Sequence, residues 1–477
     1  MQHLLARLGL GISRVFRALA PDPLVIAILL LLVTCVLGVA LGDFRTTDSL
    51  SLSEKIARLS DSFRDTGTAG SHMWSLLAFS MQMCLVLVTG HVLASTAPVG
   101  RLLRGLASVP QSGHAGAALV GFVACATGVV NWGLGLIVGA LLAREVGQSL
   151  ARRNIPHHYP IIAAAGYFGL MVWHGGLSGS APLTMTSLDG AKRTLPADVV
   201  DRLAAAGFPQ GIALEHTLFT TFNLFITLGL VVVVPLALWV LSPRDSSLQS
   251  RAALRSIEPT APEDASASPG PLPDFLERTR IVPIALALLL LAGLWRFGNV
   301  SSLTRLGLNE ITALMMILGL LMHGSARSFM RAVDNAASSC GGIIIQFPIY
   351  AAIIAVMVNT GLARVVADMA SDTSPALLPV TTFLSASVIN LFVPSGGGQW
   401  AVQGPIALEA GLAQGVHPGT MVMSVAYGDQ LTNMLQPFWA LPLLAITGVK
   451  ARDIVGYTAL IMLLAAAWII AGLLIFA

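Results

Sequence analysis

Charge is scarce in this chain. Asp, Glu, Lys and Arg make up 11% of its 477 residues, against about 25% in an ordinary soluble domain, which excludes a water-soluble globule. The net charge is only +3, and there is no basic tail or basic-aromatic pattern, so no nucleic-acid partner is expected. Cysteine is equally sparse. Cys35, Cys84, Cys125 and Cys340 are scattered through apolar stretches, giving neither a metal spacing nor a disulfide framework. The glycine-rich stretch from Pro394 to Gly398 lacks the Lys-Ser/Thr ending of a phosphate loop, which argues against ATP hydrolysis by this chain. Residues Met1 to Ala20 carry Arg7, Arg14 and Arg17 but no short apolar core followed by a small-residue cleavage site. They read as an amphipathic cytoplasmic lead-in rather than a signal peptide.

Apolar sequence fills the space that charge leaves. Hydrophobic residues make up 55% of the chain, and the mean hydropathy is +0.78. Several runs reach the length of about 20 residues that a spanning helix needs, so the sequence predicts an all-α polytopic membrane protein. Spans are expected at Pro23–Gly42, His72–Ala97, Thr217–Leu241, Ile281–Gly298, Leu308–Ser325, Gly341–Thr360 and Tyr457–Ala477. Asp43–Ser71 and Thr184–Glu215 read as polar loops. Arg101–Pro110 and Ala326–Ser339 read as short amphipathic connectors. Ser242–Arg280, rich in Ser, Pro, Ala and charge, reads as a disordered cytoplasmic linker. It separates an N-terminal repeat (residues 1–241) from a C-terminal one (residues 281–477).

Two apolar stretches are interrupted in the same manner. Between about 376 and 412 the run breaks at Asn390-Leu391-Phe392-Val393-Pro394-Ser395-Gly396-Gly397-Gly398. Pro394 and the glycines after it preclude a continuous helix, and each flank is too short to cross a bilayer alone. A helical hairpin that dips into the membrane and returns fits this pattern, and Gln399 and Gln403, one turn apart, give its return helix a polar face. Between about 114 and 143 the run is interrupted from Thr127 to Gly135, a stretch of small residues, an Asn, a Trp and glycines, which reads as a first hairpin of the same kind. Each hairpin is followed by a broken span. One covers 160–182 and breaks at Trp173-His174-Gly175-Gly176-Leu177-Ser178-Gly179-Ser180. The other covers 421–448 and breaks between Ala426 and Asn433.

Both halves therefore run span, span, hairpin, broken span, span, with the extra span 281–298 placed before the second series. One added crossing inverts all that follows, and inverted repeats are a common build of secondary transporters. Lys and Arg are in excess on one set of loops, which places the N-terminus in the cytoplasm and the C-terminus outside.

Helix ends at such breaks offer free N–H groups to a carboxylate and free carbonyls to a cation. The expected substrate-binding set is Asn131, Trp132, Gly133, Ser178, Ser180, Asn390, Pro394, Ser395, Gly396, Gly397, Gly398, Gln399, Gln403, Thr432 and Asn433. The expected cation-coupling set is Asn131, Asn390, Ser395, Asp429, Thr432 and His174. Asp429 stands out because an acid inside a span is expensive to bury and is a functional candidate on that ground. Sodium is the one metal ion these neutral oxygens suit, a proton carried by Asp429 is the competing choice, and no organic cofactor is expected.

The stretches Asn390 to Pro405, Asn131 to Leu136, Ala140 to Glu145, Trp173 to Ser178 and Gly428 to Pro442 closely resemble the bacterial short-chain fatty acid transporter family. That family is similar to the wider ion-transporter superfamily. The resemblance implies short monocarboxylates such as acetoacetate or butyrate as substrate, an inner-membrane location, a homodimer and elevator-like motion. It leaves chain length open. A carrier for another small anion, such as a dicarboxylate, and a membrane enzyme or receptor without transport are the alternatives. An enzyme would be expected to show a nucleophile–base pair or a metal motif in its core, and neither stands out.

Overall fold

The computed structural model describes residues 21–44, 46, 50–64, 72–243, 270–300, 308–371 and 373–476, and these are helical with no strand. Met1 to Ala20, and residues 244–269 of the expected linker, lie outside the described residues. Seven helices among those described are long and apolar enough to cross a membrane: Pro23–Leu41, Leu77–Ala94, Gly113–Val130, Trp132–Arg152, Thr221–Leu241, Gly341–Asn359 and Ala451–Phe476. Outer helices, the apolar Ile281–Val300 among them, expose apolar side chains that water would not tolerate in such numbers. Val36 is 68%, Leu289 72% and Trp295 73% exposed, as expected for surfaces in contact with lipid. The chain is a multi-pass membrane protein.

Spans and interruptions fall close to the expected residues. The first interrupted stretch forms two helices, Gly113–Val130 and Trp132–Arg152, that pack against each other and meet at Asn131. The second forms Leu378–Phe392 and Gly396–Ala413 with Val393 to Ser395 between them. The first pair is longer than expected, and either of its helices has the length of a span.

Glycine makes the close packing of the first pair possible. A Cβ on Gly135 would lie 2.6 Å from the Gly128 Cα, and one on Gly128 would strike the Gly169 backbone. A Cβ on Gly139 would strike the Gly166 carbonyl and lie 2.9 Å from the Ala124 Cβ. Backbone cannot rotate aside as a side chain can. Gly139→Ala is therefore expected to destabilise the protein by at least the about 1–3 kcal/mol of an overpacked core, read as a lower melting temperature in detergent. Gly397→Ala, whose Cβ would meet nothing within 4 Å, should melt with the wild type.

Four expectations need correction. The loop Thr184–Glu215 is largely helical, with Leu188–Thr194 and Ala197–Ala205 inside it. Their apolar faces form a separate core in which Leu195, Val199 and Leu203 join Trp400, Leu408 and Val422. Asp43–Ser71 contains the helix Leu52–Ser60, opened by a Ser51/Glu54 capping box. The end of the expected linker, Pro271–Arg278, is a helix, held by Arg327, which pairs with Glu277 at 2.7 Å and Asp274 at 3.2 Å. The breaks also shift. In 160–182 the regular helix stops at Ala165 and resumes at Ser180, so the irregular segment begins earlier than Trp173. In 421–448 the helix Pro418–Thr432 runs straight through Gly428 and Asp429, and the interruption is Asn433 to Gln436. Burial of every residue from Pro418 to Thr432 lets tertiary packing override the weak helix propensity of glycine.

Candidate functional site

Asn131 both ends one helix and begins the next. Its extended backbone (φ −157°, ψ 131°) stops Gly113–Val130, and its Oδ1 accepts from the N–H groups of Gly133 and Leu134 at 3.0 and 3.1 Å. This is N-capping by a favoured residue. The neighbouring groups tie the tip to the irregular segment 166–179. Trp132 N–H donates to Ser178 Oγ at 3.0 Å, and Leu177 N–H donates to the Val129 carbonyl at 2.7 Å.

The second tip reaches the same segment. Ser395 caps its helix by accepting from Gly398 N–H at 3.3 Å, and Pro394 is buried beside it. A Cβ on Gly396 would lie 2.8 Å from the Trp173 ring, 3.0 Å from the His174 ring and 3.1 Å from Ser180 Oγ. Only glycine allows so close an approach. Gly397, in contrast, is exposed. The segment 173–180 therefore touches both tips.

Gln399 and Gln403 hold the second pair together. Gln399 Nε2 donates to the Ala386 carbonyl at 2.8 Å and to Gln403 Oε1 at 3.0 Å, and Gln403 Nε2 donates to Ser385 Oγ at 2.8 Å. Their amide donors are used within the pair, so the structure gives these two residues a stapling role.

Asn390, one turn before the tip, docks on the second broken span. Its Nδ2 donates to the Asp429 carbonyl, to Thr432 Oγ1 at 3.0 Å and to Asn433 Oδ1 at 2.9 Å. Thr432 Oγ1 in turn donates to the Ser387 carbonyl at 2.9 Å, and Gln436 Nε2 donates to the Asn390 carbonyl. Tyr167 closes the group from the other broken span, its hydroxyl lying 2.7 Å from the Asn433 carbonyl and 3.0 Å from that of Gln436. Asn390 Oδ1 has no protein partner.

Asp429 and His174, separated by 255 positions in the chain, meet at 3.1 Å between Oδ1 and Nδ1. They are 1% and 0% exposed. The hydrogen-bond network assigns the protons here. Ala181 N–H can only donate, and it points at His174 Nε2 from 3.1 Å. Nε2 is therefore the acceptor, and the neutral ring carries its proton on Nδ1 and donates it to Asp429. A second proton on His174 would break the bond to Ala181. Asp429 Oδ2 is left without a protein partner, and a buried carboxylate oxygen in that position calls for a cation or a proton. His174 is braced by stacking on Trp173 at 4.2 Å between ring centroids. Gln430 Oε1 accepts from the backbone N–H groups of His174 and Gly175 at 3.1 and 3.2 Å.

The expected residues thus gather at two junctions: Asn131, Trp132 and Ser178 at the first tip, and Asn390, Thr432 and Asn433 at the second, with His174, Ser180 and Gly396 between them. Asp429 joins both, through its carbonyl to Asn390 and its carboxylate to His174. Tyr167, Gln430, Gln436 and Asn223 were missed. Asn223 Nδ2 donates to the Gly175 carbonyl at 3.0 Å. Each is a polar group inside an apolar run, which is the signal that could have found them. Among the described residues no cluster of His, Cys, Asp or Glu could hold a transition metal.

Comparison with known proteins adds a second line of evidence. The family described as "Short chain fatty acid transporter" matches residues 4–476. Two relatives bearing that family's name are similar over nearly their full length. One, from Escherichia coli, is 37% identical over 99% of this chain and 100% of its own. The other, from Haemophilus influenzae, is 34% identical over 95% and 96%. Solved structures are more distant. The YdaH transporter of Alcanivorax borkumensis is 16% identical with a TM-score of 0.40, covering 95% of this chain and 97% of its own. MtrF of Neisseria gonorrhoeae, from a class described as antimetabolite efflux pumps, is 17% identical with a TM-score of 0.37, covering 95% and 94%.

Proposed function

The chain belongs to the short-chain fatty acid transporter family, and on that premise we propose that it carries acetoacetate- or butyrate-like monocarboxylates across the bacterial inner membrane, driven by a cation gradient. The observation that carries this reading is the contact of both tips with one irregular segment, beside a buried carboxylate with a free oxygen. The cation sits at Asp429 Oδ2, and Asn390 Oδ1 supplies a second free oxygen. The substrate carboxylate meets the start of the helix at Gly396, where the helix dipole favours an anion; at Trp132 the first N–H groups are already taken by Ser178 and Asn131. His174 holds the Asp429 carboxylate in place. With Nε2 committed to Ala181, it is a positioning group rather than a proton carrier. Sodium is the favoured ion, because two unpartnered oxygens suit a hard cation.

In this reading the helix pairs are re-entrant hairpins, and the halves on either side of residues 242–280 are inverted repeats. Supporting contacts come from the second broken span. It starts at Pro418, where His417 lies 5.5 Å from His216, and ends at Thr447, whose carbonyl accepts from Tyr159 at the open end of the first pair. Between these ends it passes both junctions. An N-terminus in the cytoplasm, a C-terminus outside, a homodimer and elevator-type alternating access complete the proposal. Labelling tests the orientation: cysteine at Gln111 should react with an impermeant reagent only from the cytoplasmic face, and at Asp198 only from outside. Reaction of both from one face contradicts the inverted arrangement.

Uptake of labelled butyrate into proteoliposomes tests the function itself. An inward sodium gradient should drive accumulation above equilibrium, and a pH gradient without sodium should not. Accumulation on the pH gradient alone would assign the coupling to a proton. Equilibration alone under both gradients removes cation coupling.

A further inference from the structure

A small open cleft, with a cavity volume of about 40 Å³, lies beside the second break. Ile26, Met434, Leu435, Pro437 and Val455 give it apolar walls. Two features distinguish it from a gap between helices. Arg452, exposed in the first turn of Ala451–Phe476, supplies the charge in its lining among the described residues. Gln436 lines it too, and this side chain, 4% exposed, has an acceptor Oε1 with no protein partner. Nearby carboxylates are engaged with backbone. Asp22 accepts from Leu24 N–H at 3.0 Å and Asp453 from Lys450 N–H at 3.3 Å.

We infer that this cleft is a second carboxylate site, a vestibule that takes a short aliphatic acid before or after it visits the tips. The inference rests on the transport reading above and adds a place where substrate waits on the side carrying Arg452. The guanidinium holds the carboxylate, and its fork suits that group better than an ammonium does. The apolar walls take the alkyl chain. The free Oε1 of Gln436 favours an acid bearing a hydroxyl donor, because a buried unpaired acceptor is costly until it is met. Gln436 also links the vestibule to the tip, since its Nε2 donates to the Asn390 carbonyl. A ligand hydroxyl bound at Oε1 therefore pulls on the same side chain that holds Asn390.

Protection of an introduced thiol tests this without relying on transport. Val455→Cys, at a partly buried wall position, is reacted with N-ethylmaleimide in the reconstituted full-length protein, and modification is read at that peptide by mass spectrometry. Butyrate should slow the reaction several-fold, 1-butanol should not, and 3-hydroxybutyrate should protect at about a tenfold lower concentration than butyrate. Adding Arg452→Gln should abolish protection, and Arg452→Lys should restore part of it. Equal rates with and without butyrate overturn the vestibule, as does protection that survives Arg452→Gln. Equal potency of the two acids overturns the role of Gln436. Failure of wild-type butyrate uptake, with protection intact, would instead count against the transport reading.

Discussion

An Asp429→Asn protein is expected to lose gradient-driven accumulation by on the order of 100-fold or more, while remaining folded and exchanging substrate across the membrane. Asparagine is nearly isosteric here. Its Oδ1 can still accept the Nδ1–H of His174, which Ala181 keeps in the neutral form with its proton directed at residue 429. The change falls on the other atom. Oδ2, buried and without a protein partner, becomes an NH2 group that repels a cation. Removing one partner from a buried charge pair costs about 3–5 kcal/mol, and each 1.4 kcal/mol is tenfold in affinity. Sodium should then bind too weakly to drive uptake at ordinary gradients. Counterflow, with unlabelled butyrate inside and labelled butyrate outside, needs no net ion movement and should stay within a few-fold of wild type. Accumulation at the wild-type level would remove Asp429 from the coupling site, whether the ion is sodium or a proton. Loss of counterflow together with accumulation would give the residue a structural role.

The sequence signals that worked were local. Runs of apolar residues located the spans, and the glycine-bearing stretches Thr127–Gly135 and Pro394–Gly398 located the two interruptions, because proline and glycine act within one turn. The resemblance to the transporter family rested on the same motifs. Two kinds of feature were hidden. Amphipathic helices such as Ala197–Ala205 read as polar loop because half their face is polar, and Val199 and Leu203 gain meaning only once Trp400 and Val422 are set against them. The break after Thr432 was placed too early because Gly428 and Asp429 look like helix breakers. Gly428 instead packs where a Cβ would strike the Phe383 carbonyl, so it marks a close helix crossing rather than an end. The pairing of His174 with Asp429 spans the two halves of the chain, and no periodicity or spacing announces it. Asp429 drew attention as a buried acid and His174 was expected beside it in the cation-coupling set, but the bond between them came only from the fold.

Asn390 gives the sharpest test of the second tip. One amide group is the shared donor for the Asp429 carbonyl, Thr432 Oγ1 and Asn433 Oδ1, all buried. Asn390→Ala strips that donor and leaves these acceptors facing a void. An unmet buried acceptor costs about 1–3 kcal/mol, and Thr432 can recover part of that through its bond to Ser387. A net loss of roughly 3–5 kcal/mol is expected, with a lower melting temperature and transport reduced by on the order of 100-fold. Asn131→Ala should be milder, because it removes one helix cap worth about 1 kcal/mol, and Asn131→Ser should restore most of the loss. Asn390→Asp decides what the amide does. If residue 390 serves mainly by filling space, aspartate, the closer match in shape, should be better tolerated than alanine. If it serves as the donor that fixes the tip to the second broken span, aspartate sets a carboxylate against three oxygen acceptors and should be the worse of the two. Melting temperature and butyrate counterflow, measured for both variants, should therefore rank alanine above aspartate. The reverse order would return Asn390 to simple packing and leave the tip held by Gln399, Gln403 and Gly396 alone.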